Sequence, residues 1–106
     1  MTFSRLLAIV ALLGLASAAA AADLRVVQRD KKFLVNRLDI RVGDTVRFVN
    51  DDEVSHNLYS VTPGMQFEVR IQQPGQSDKV TFKNAGVALV QCAIHPQMSL
   101  RVSVAP

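Results

Sequence analysis

From Asp23 to Ala105 the chain shows no helical apolar period. It is a succession of short segments that alternate with a period of two, each closed by turn residues. Leu38, Ile40 and Val42 alternate with Asp39 and Arg41, and Gly43-Asp44 ends the segment. Thr45 to Asn50 follows with Val46 and Phe48 inward and Arg47 outward, so Leu38 to Asn50 is expected to form a hairpin. Before it lie a strand over Leu24 to Gln28, a charged turn over Arg29-Asp30-Lys31-Lys32, and Phe33-Leu34-Val35 at the domain edge. After it come the loop Asp51-Asp52-Glu53, a strand from His56 to Ser60, and the turn Pro63-Gly64. Phe67, Val69 and Ile71 then alternate with Glu68 and Arg70. Pro74-Gly75 turns the chain, Val80 and Phe82 alternate with Lys79, Thr81 and Lys83, and Asn84-Ala85-Gly86 turns it again. Val87 to Gln91 is almost wholly apolar, as for a strand buried on both faces. Leu100 to Ala105 closes the chain. About seven to eight such strands predict an all-β fold, an antiparallel Greek-key β-sandwich.

The first residues have a different composition. Arg5, the apolar run Leu6 to Leu15 and the small-residue stretch Ala16 to Ala22 follow the layout of a secretory signal peptide, with cleavage expected just before Asp23. The apolar run is too short to span a bilayer. Residues 1–22 are thus expected to be a leader and 23–106 a single exported domain with no membrane span of its own. Without the leader, eleven basic residues face nine acidic ones. That near balance, with few aromatics and none interleaved with arginine, argues against nucleic acid as a partner.

A small exported domain ordinarily carries disulfides, because its core alone struggles to offset chain entropy. This chain has one cysteine, so no internal bridge can form. An unpaired thiol in an oxidising compartment calls for an explanation, and burial as a small hydrophobe is one. Metal ligation is the other, and the neighbours of Cys92 favour it. The stretch Cys92-Ala93-Ile94-His95-Pro96-Gln97-Met98 places a thiolate, an imidazole and a thioether with two residues between each. Polarizable sulfur suits copper and binds oxygen-loving ions poorly.

A fourth ligand is needed, and His56 is the only other histidine. If Val87–Gln91 and Leu100–Ala105 are adjacent antiparallel strands, the residues between them form one loop at a sandwich pole. The loop before His56 can then lie at the same pole. Two imidazoles, a thiolate and a weak thioether make an electron-transfer copper site, because that mixture suits both oxidation states. Met65 is a rival thioether, and one cysteine with two histidines can also hold zinc. A thiol nucleophile with His95 as its base lacks a matching oxyanion arrangement or substrate cleft, so the chain is read as no enzyme. Asp51, Asp52 and Glu53 read as a solvated loop able to steer a basic partner, and Arg29, Lys31 and Lys32 as a solvated basic cluster.

With these residues in view, the chain resembles the small cupredoxins of the plastocyanin and azurin class. Its loop is most similar to that of amicyanin-type proteins, and it also resembles periplasmic proteins labelled methylamine-utilisation-like. The resemblance implies one type 1 copper ion held by His56, Cys92 and His95, with Met98 axial. It implies a periplasmic monomer that passes single electrons between redox partners such as a dehydrogenase and a c-type cytochrome. Copper tolerance or delivery with the same ligands is the alternative. Asn57 matches the asparagine that in this class ties the ligand loops together through a hydroxyl after the cysteine. Here that position is Ala93, so a tie through backbone alone is expected. Ile94 retains an N–H that is expected to donate to the Cys92 sulfur and raise the reduction potential.

Overall fold

The computed structural model describes residues 20–106; the leader expected over 1–22 lies almost wholly outside them. Among the described residues nine strands form two facing sheets: β1 (Asp23–Arg29), β2 (Lys32–Phe33), β3 (Arg37–Arg41), β4 (Thr45–Asn50), β5 (Leu58–Ser60), β6 (Phe67–Glu68), β7 (Ser77–Thr81), β8 (Gly86–Cys92) and β9 (Ser99–Ala105). One sheet has the order β2-β1-β4-β7 and the other β3-β9-β8-β5-β6. The all-β sandwich agrees with the sequence. The count exceeds seven to eight because β2 and β6 are two-residue strands. The sheets are mixed rather than wholly antiparallel: β1 runs parallel to β4, and β3 parallel to β9.

The expected Leu38–Asn50 hairpin does not form, although its turn does. Gly43 has φ 95°. The carboxylate of Asp44 accepts from Arg41 N–H at 2.8 Å and from Ala22 N–H at 2.8 Å. The chain thereby turns a corner from one sheet into the other, leaving β3 against β9 and β4 between β1 and β7. A glycine followed by a capping carboxylate marks a reversal and does not say whether the two arms stay paired. Those two backbone donors hold the Asp44 carboxyl below its ordinary pKa. A depressed folded value means stability that is present above the unfolded pKa, roughly 3.9, and lost as pH falls through the folded one. Asp44→Asn is therefore expected to lower the melting temperature at pH 7 and to flatten its fall in acid, most strongly in a chain that keeps Ala22 and through the Arg41 N–H alone where the leader has been removed. Thermal scans between pH 3 and 7 check this, and an unchanged acid profile contradicts it.

The core lies between the sheets, with Val26, Val46 and Phe48 from one and Leu58, Ala88, Val90, Leu100 and Val102 from the other, each at most 1% exposed. A row of rings crosses it. Phe48 packs edge-on to Phe33 at 6.4 Å and stacks on Phe67 at 6.1 Å, and Phe67 meets Phe82 edge-on at 6.0 Å.

Strand β8 departs from expectation. Its apolar run suggests burial on both faces, yet Val87 and Leu89 are 52% and 43% exposed while Ala88, Val90 and Cys92 are buried. The strand is central in its sheet, paired with β5 and β9, so its backbone is enclosed while its outer face remains open. The same alternation sends Cys92 inward at the strand end. The expected Phe67–Ile71 strand is also cut short: only Phe67–Glu68 pairs with β5, and Ile71 is 54% exposed. Gln72 then bridges to His56.

Candidate metal centre

Cys92 ends β8, and the chain returns as β9 from Ser99, with Gln91 opposite Ser99. The intervening loop is closed by Met98 N–H donating to His95 carbonyl at 2.9 Å. His56 arrives from the other side, clamped to Gln72 by reciprocal backbone bonds of 3.0 and 2.7 Å. Leu58 stands opposite Cys92, which brings the two ligand segments side by side.

The result is convergence. His56 Nδ1 and His95 Nδ1 each lie 3.7 Å from Cys92 Sγ, and 3.2 Å from one another. His56 and Cys92 are at most 1% exposed, and His95 is half-buried between exposed Ile94 and Pro96. Met98, the fourth residue expected here, is 1% exposed and packs into the core cluster, whereas the rival Met65 sits beside Gly86 at the far end of β8.

The chemistry of these donors suits a soft cation. His56 Nε2 lies 2.9 Å from Asp52 Oδ2. An ionised carboxylate only accepts, so the proton of the neutral ring sits on Nε2 and the Nδ1 lone pair faces the sulfur. Two imidazole nitrogens and a sulfur aimed at one point offer a soft cation three donors at once. Burial first, then repulsion from His56 whenever that ring is itself protonated, and then Lys31, push the His95 pKa below its ordinary value and so favour the neutral ring, the form able to bind a metal.

Asp52 was expected in a solvated loop, but its side chain is only 8% exposed. Besides the His56 ring it accepts Lys31 N–H at 2.8 Å and Glu53 N–H at 2.9 Å. Burial alone raises its pKa; the N–H groups of Lys31 and Glu53, with the His56 ring, outweigh this and hold it low. Behind the loop, Asn50 accepts Asp52 N–H and donates to the carbonyls of Val54 and Gln72, each at 3.0 Å. Gln72 Nε2 donates in turn to Phe48 carbonyl at 3.0 Å, tying the His56 segment to β4. The sequence signal for Asp52 was its spacing, a carboxylate four residues before a histidine.

The sulfur receives its backbone hydrogen bond from Asn57 N–H at 3.4 Å; among the described residues none comes from Ile94 N–H, contrary to expectation. The reason is topological, because Asn57 lies across from the end of β8 and its carbonyl also accepts Ala93 N–H at 2.9 Å. The tie between the loops is thus made by backbone, as Ala93 implied. The amide oxygen of Asn57 is buried without a partner. Ala93→Ser is expected to supply the missing hydroxyl and to stabilise the metal-free protein by about 1 kcal/mol. Calorimetry checks this; an equal or lower melting temperature contradicts it.

A profile of copper-binding proteins of the plastocyanin/azurin family matches residues 20–105. The chain belongs to this family. Its cofactor is accordingly a single copper ion, in keeping with the His56–Cys92–His95 cluster. Among curated relatives, the chain is 41% identical over 69 residues to methylamine utilization protein MauL of Methylorubrum extorquens, covering 64% of this chain and 60% of that one. It is 32% identical over 77 residues to amicyanin of Paracoccus denitrificans, covering 69% and 58%. The chain therefore spans about three fifths of the length of these curated relatives. Among solved structures, a Cu(I) form of an amicyanin variant superposes with a TM-score of 0.72 at 26% identity, over 77% of this chain and 81% of that one. A copper-containing nitrite reductase from Thermus scotoductus superposes with a TM-score of 0.73 at 25% identity, over 79% of this chain and 22% of that one.

Proposed function

We propose that this protein is a periplasmic one-electron carrier whose type 1 copper is held by His56, Cys92 and His95, with Met98 as the weak axial ligand. The observation that carries the reading is the convergence of two Nδ1 atoms and Sγ at 3.2 to 3.7 Å. Bound there, copper supplies reversible one-electron exchange. The chain's own residues keep the geometry the same in both oxidation states. His56 is fixed by Asp52 on its ring and by Gln72 on its backbone, and Cys92 by its place at the end of a central strand. A centre that does not rearrange has little barrier to electron transfer.

His95 is the ligand nearest solvent and so the electron's exit. The donor and acceptor classes proposed are a dehydrogenase and a c-type cytochrome, met by a monomer that an export leader over residues 1–22 sends to the periplasm. The relatives' names, amicyanin and a methylamine utilization protein, support this setting. Among the described residues no helix is long and apolar enough to cross a membrane.

Copper delivery is a second reading, favoured by the unpartnered amide oxygen of Asn57 and a loop tie made of backbone alone. Two measurements separate them. Cu(II) added to the purified protein should give an intense sulfur-to-copper charge-transfer band and a matching paramagnetic resonance spectrum. The loaded protein is then mixed with a reduced c-type cytochrome or, separately, as Cu(I) with an apo acceptor. Rapid reduction with copper retained supports the carrier; transfer of the metal with no electron exchange overturns it.

A further inference from the structure

The upstream histidine is held by a carboxylate, and that carboxylate is itself held by a distant hairpin. Strands β1 and β2 are joined by the two-residue loop Asp30-Lys31, flanked by the Arg29–Lys32 pair. Both loop residues lie in the left-handed region, with φ 53° and 56°, and neither is glycine. This is the backbone of a type I′ turn, which β-carbon-bearing residues adopt at a cost. The turn points Lys31 N–H outward from the hairpin, 2.8 Å from Asp52 Oδ2, the same oxygen that meets His56 Nε2 at 2.9 Å. Beside it Arg29 pairs with Asp51, but both side chains are more than half exposed and solvent screens the pair, so it is no part of the positioning.

We propose that the Asp30-Lys31 turn is a working part of the metal centre: its main-chain N–H fixes the carboxylate of Asp52, which is a positioning residue that sets the orientation and donor strength of His56. The hydrogen-bond count makes aspartate specific. Its two oxygens accept three N–H groups, from Lys31 and His56 on Oδ2 and from Glu53 on Oδ1. An asparagine has one acceptor oxygen, so its amide must set an N–H against one of those donors. A carboxylate on the far nitrogen of an imidazole also pushes electron density toward the metal and favours the more highly charged state. The inference rests on His56 ligating copper as proposed above.

The test compares copper-loaded wild type, Asp52→Asn, Asp51→Asn and a variant with one glycine inserted between Asp30 and Lys31, each checked for native circular dichroism. Asp52→Asn should shift the redox equilibrium toward Cu(I) by about tenfold, or ~59 mV for one electron. It should also lower Cu(II) affinity by roughly 10- to 100-fold, the usual range for an outer partner. The insertion, which displaces Lys31 N–H while keeping the Asp52 charge, should move both in the same direction. Asp51→Asn removes an equal charge that is more than half exposed and paired with Arg29, and should change neither. An Asp52→Asn protein indistinguishable from Asp51→Asn, or an insertion variant with the wild-type potential, overturns the inference alone. A wild type that shows no charge-transfer band overturns the ligand assignment and the inference with it.

Discussion

Cys92→Ser is expected to abolish the intense visible band of the copper-loaded protein completely, because under the proposed ligand set the band is a transfer of charge from this sulfur and the chain has no second cysteine to replace it. The substitution is small. Cys92 is 1% exposed at the end of β8, and a serine of nearly equal volume keeps the strand pairing with Leu58 and the Asn57 N–H donor. The fold should therefore persist while the metal chemistry changes. With two imidazoles and a hydroxyl the pocket loses its preference for Cu(I), so the reduction potential falls and Cu(II) is held as a weakly coloured centre. Absorption and paramagnetic resonance spectra of the same sample decide the matter. A retained band would mean that the sulfur facing the histidines is not the one bonded to the metal.

Phe48→Ala is the second large effect. Phe48 is fully buried and links two other rings, so its loss removes both transfer energy and ring packing and leaves a cavity between the sheets. The expected cost is about 3–5 kcal/mol. A domain of this size has only about 5–15 kcal/mol in total, so the metal-free variant should be close to unfolding at ambient temperature. Copper that binds the folded state more tightly than the unfolded chain should, when saturating, recover part of the loss by mass action. Denaturant titration of the metal-free and copper-loaded forms checks both statements. A cost under 1 kcal/mol would show that the ring row is not a principal support of the sandwich.

The contrast between these residues and Asp52 shows what a sequence reader can recover. Cys92, His95 and Met98 declare themselves because their chemistry is rare and their spacing regular within one loop. His56 follows as the one remaining histidine. Asp52 carries only the weak mark of its spacing to His56, since acidic residues in a loop are ordinarily solvated; the neighbouring Asn50 and the β1–β2 turn, about twenty residues back in the chain, make it a buried anchor. The same limit governs the fold. Alternation at Leu38–Val42 and Thr45–Asn50 shows which residues face inward, but pairing depends on partners elsewhere in the chain. For β3 the partner is β9, about sixty residues on. Val87 and Leu89 illustrate the converse: an apolar run describes side chains, whereas burial depends on whether another layer lies over them.

The place of β9 has a kinetic consequence. Ser99–Ala105 lies between β3 and β8, parallel to one and antiparallel to the other, so the second sheet is two separate pieces until this strand is inserted. Because that step closes a long chain separation, it should be a slow and late event in folding. The loop bearing Cys92, His95 and Met98 gains its second anchor at the same moment. Metal capture is thus coupled to completion of the protein, and a chain shortened before Ser99 would offer copper only unorganised side chains.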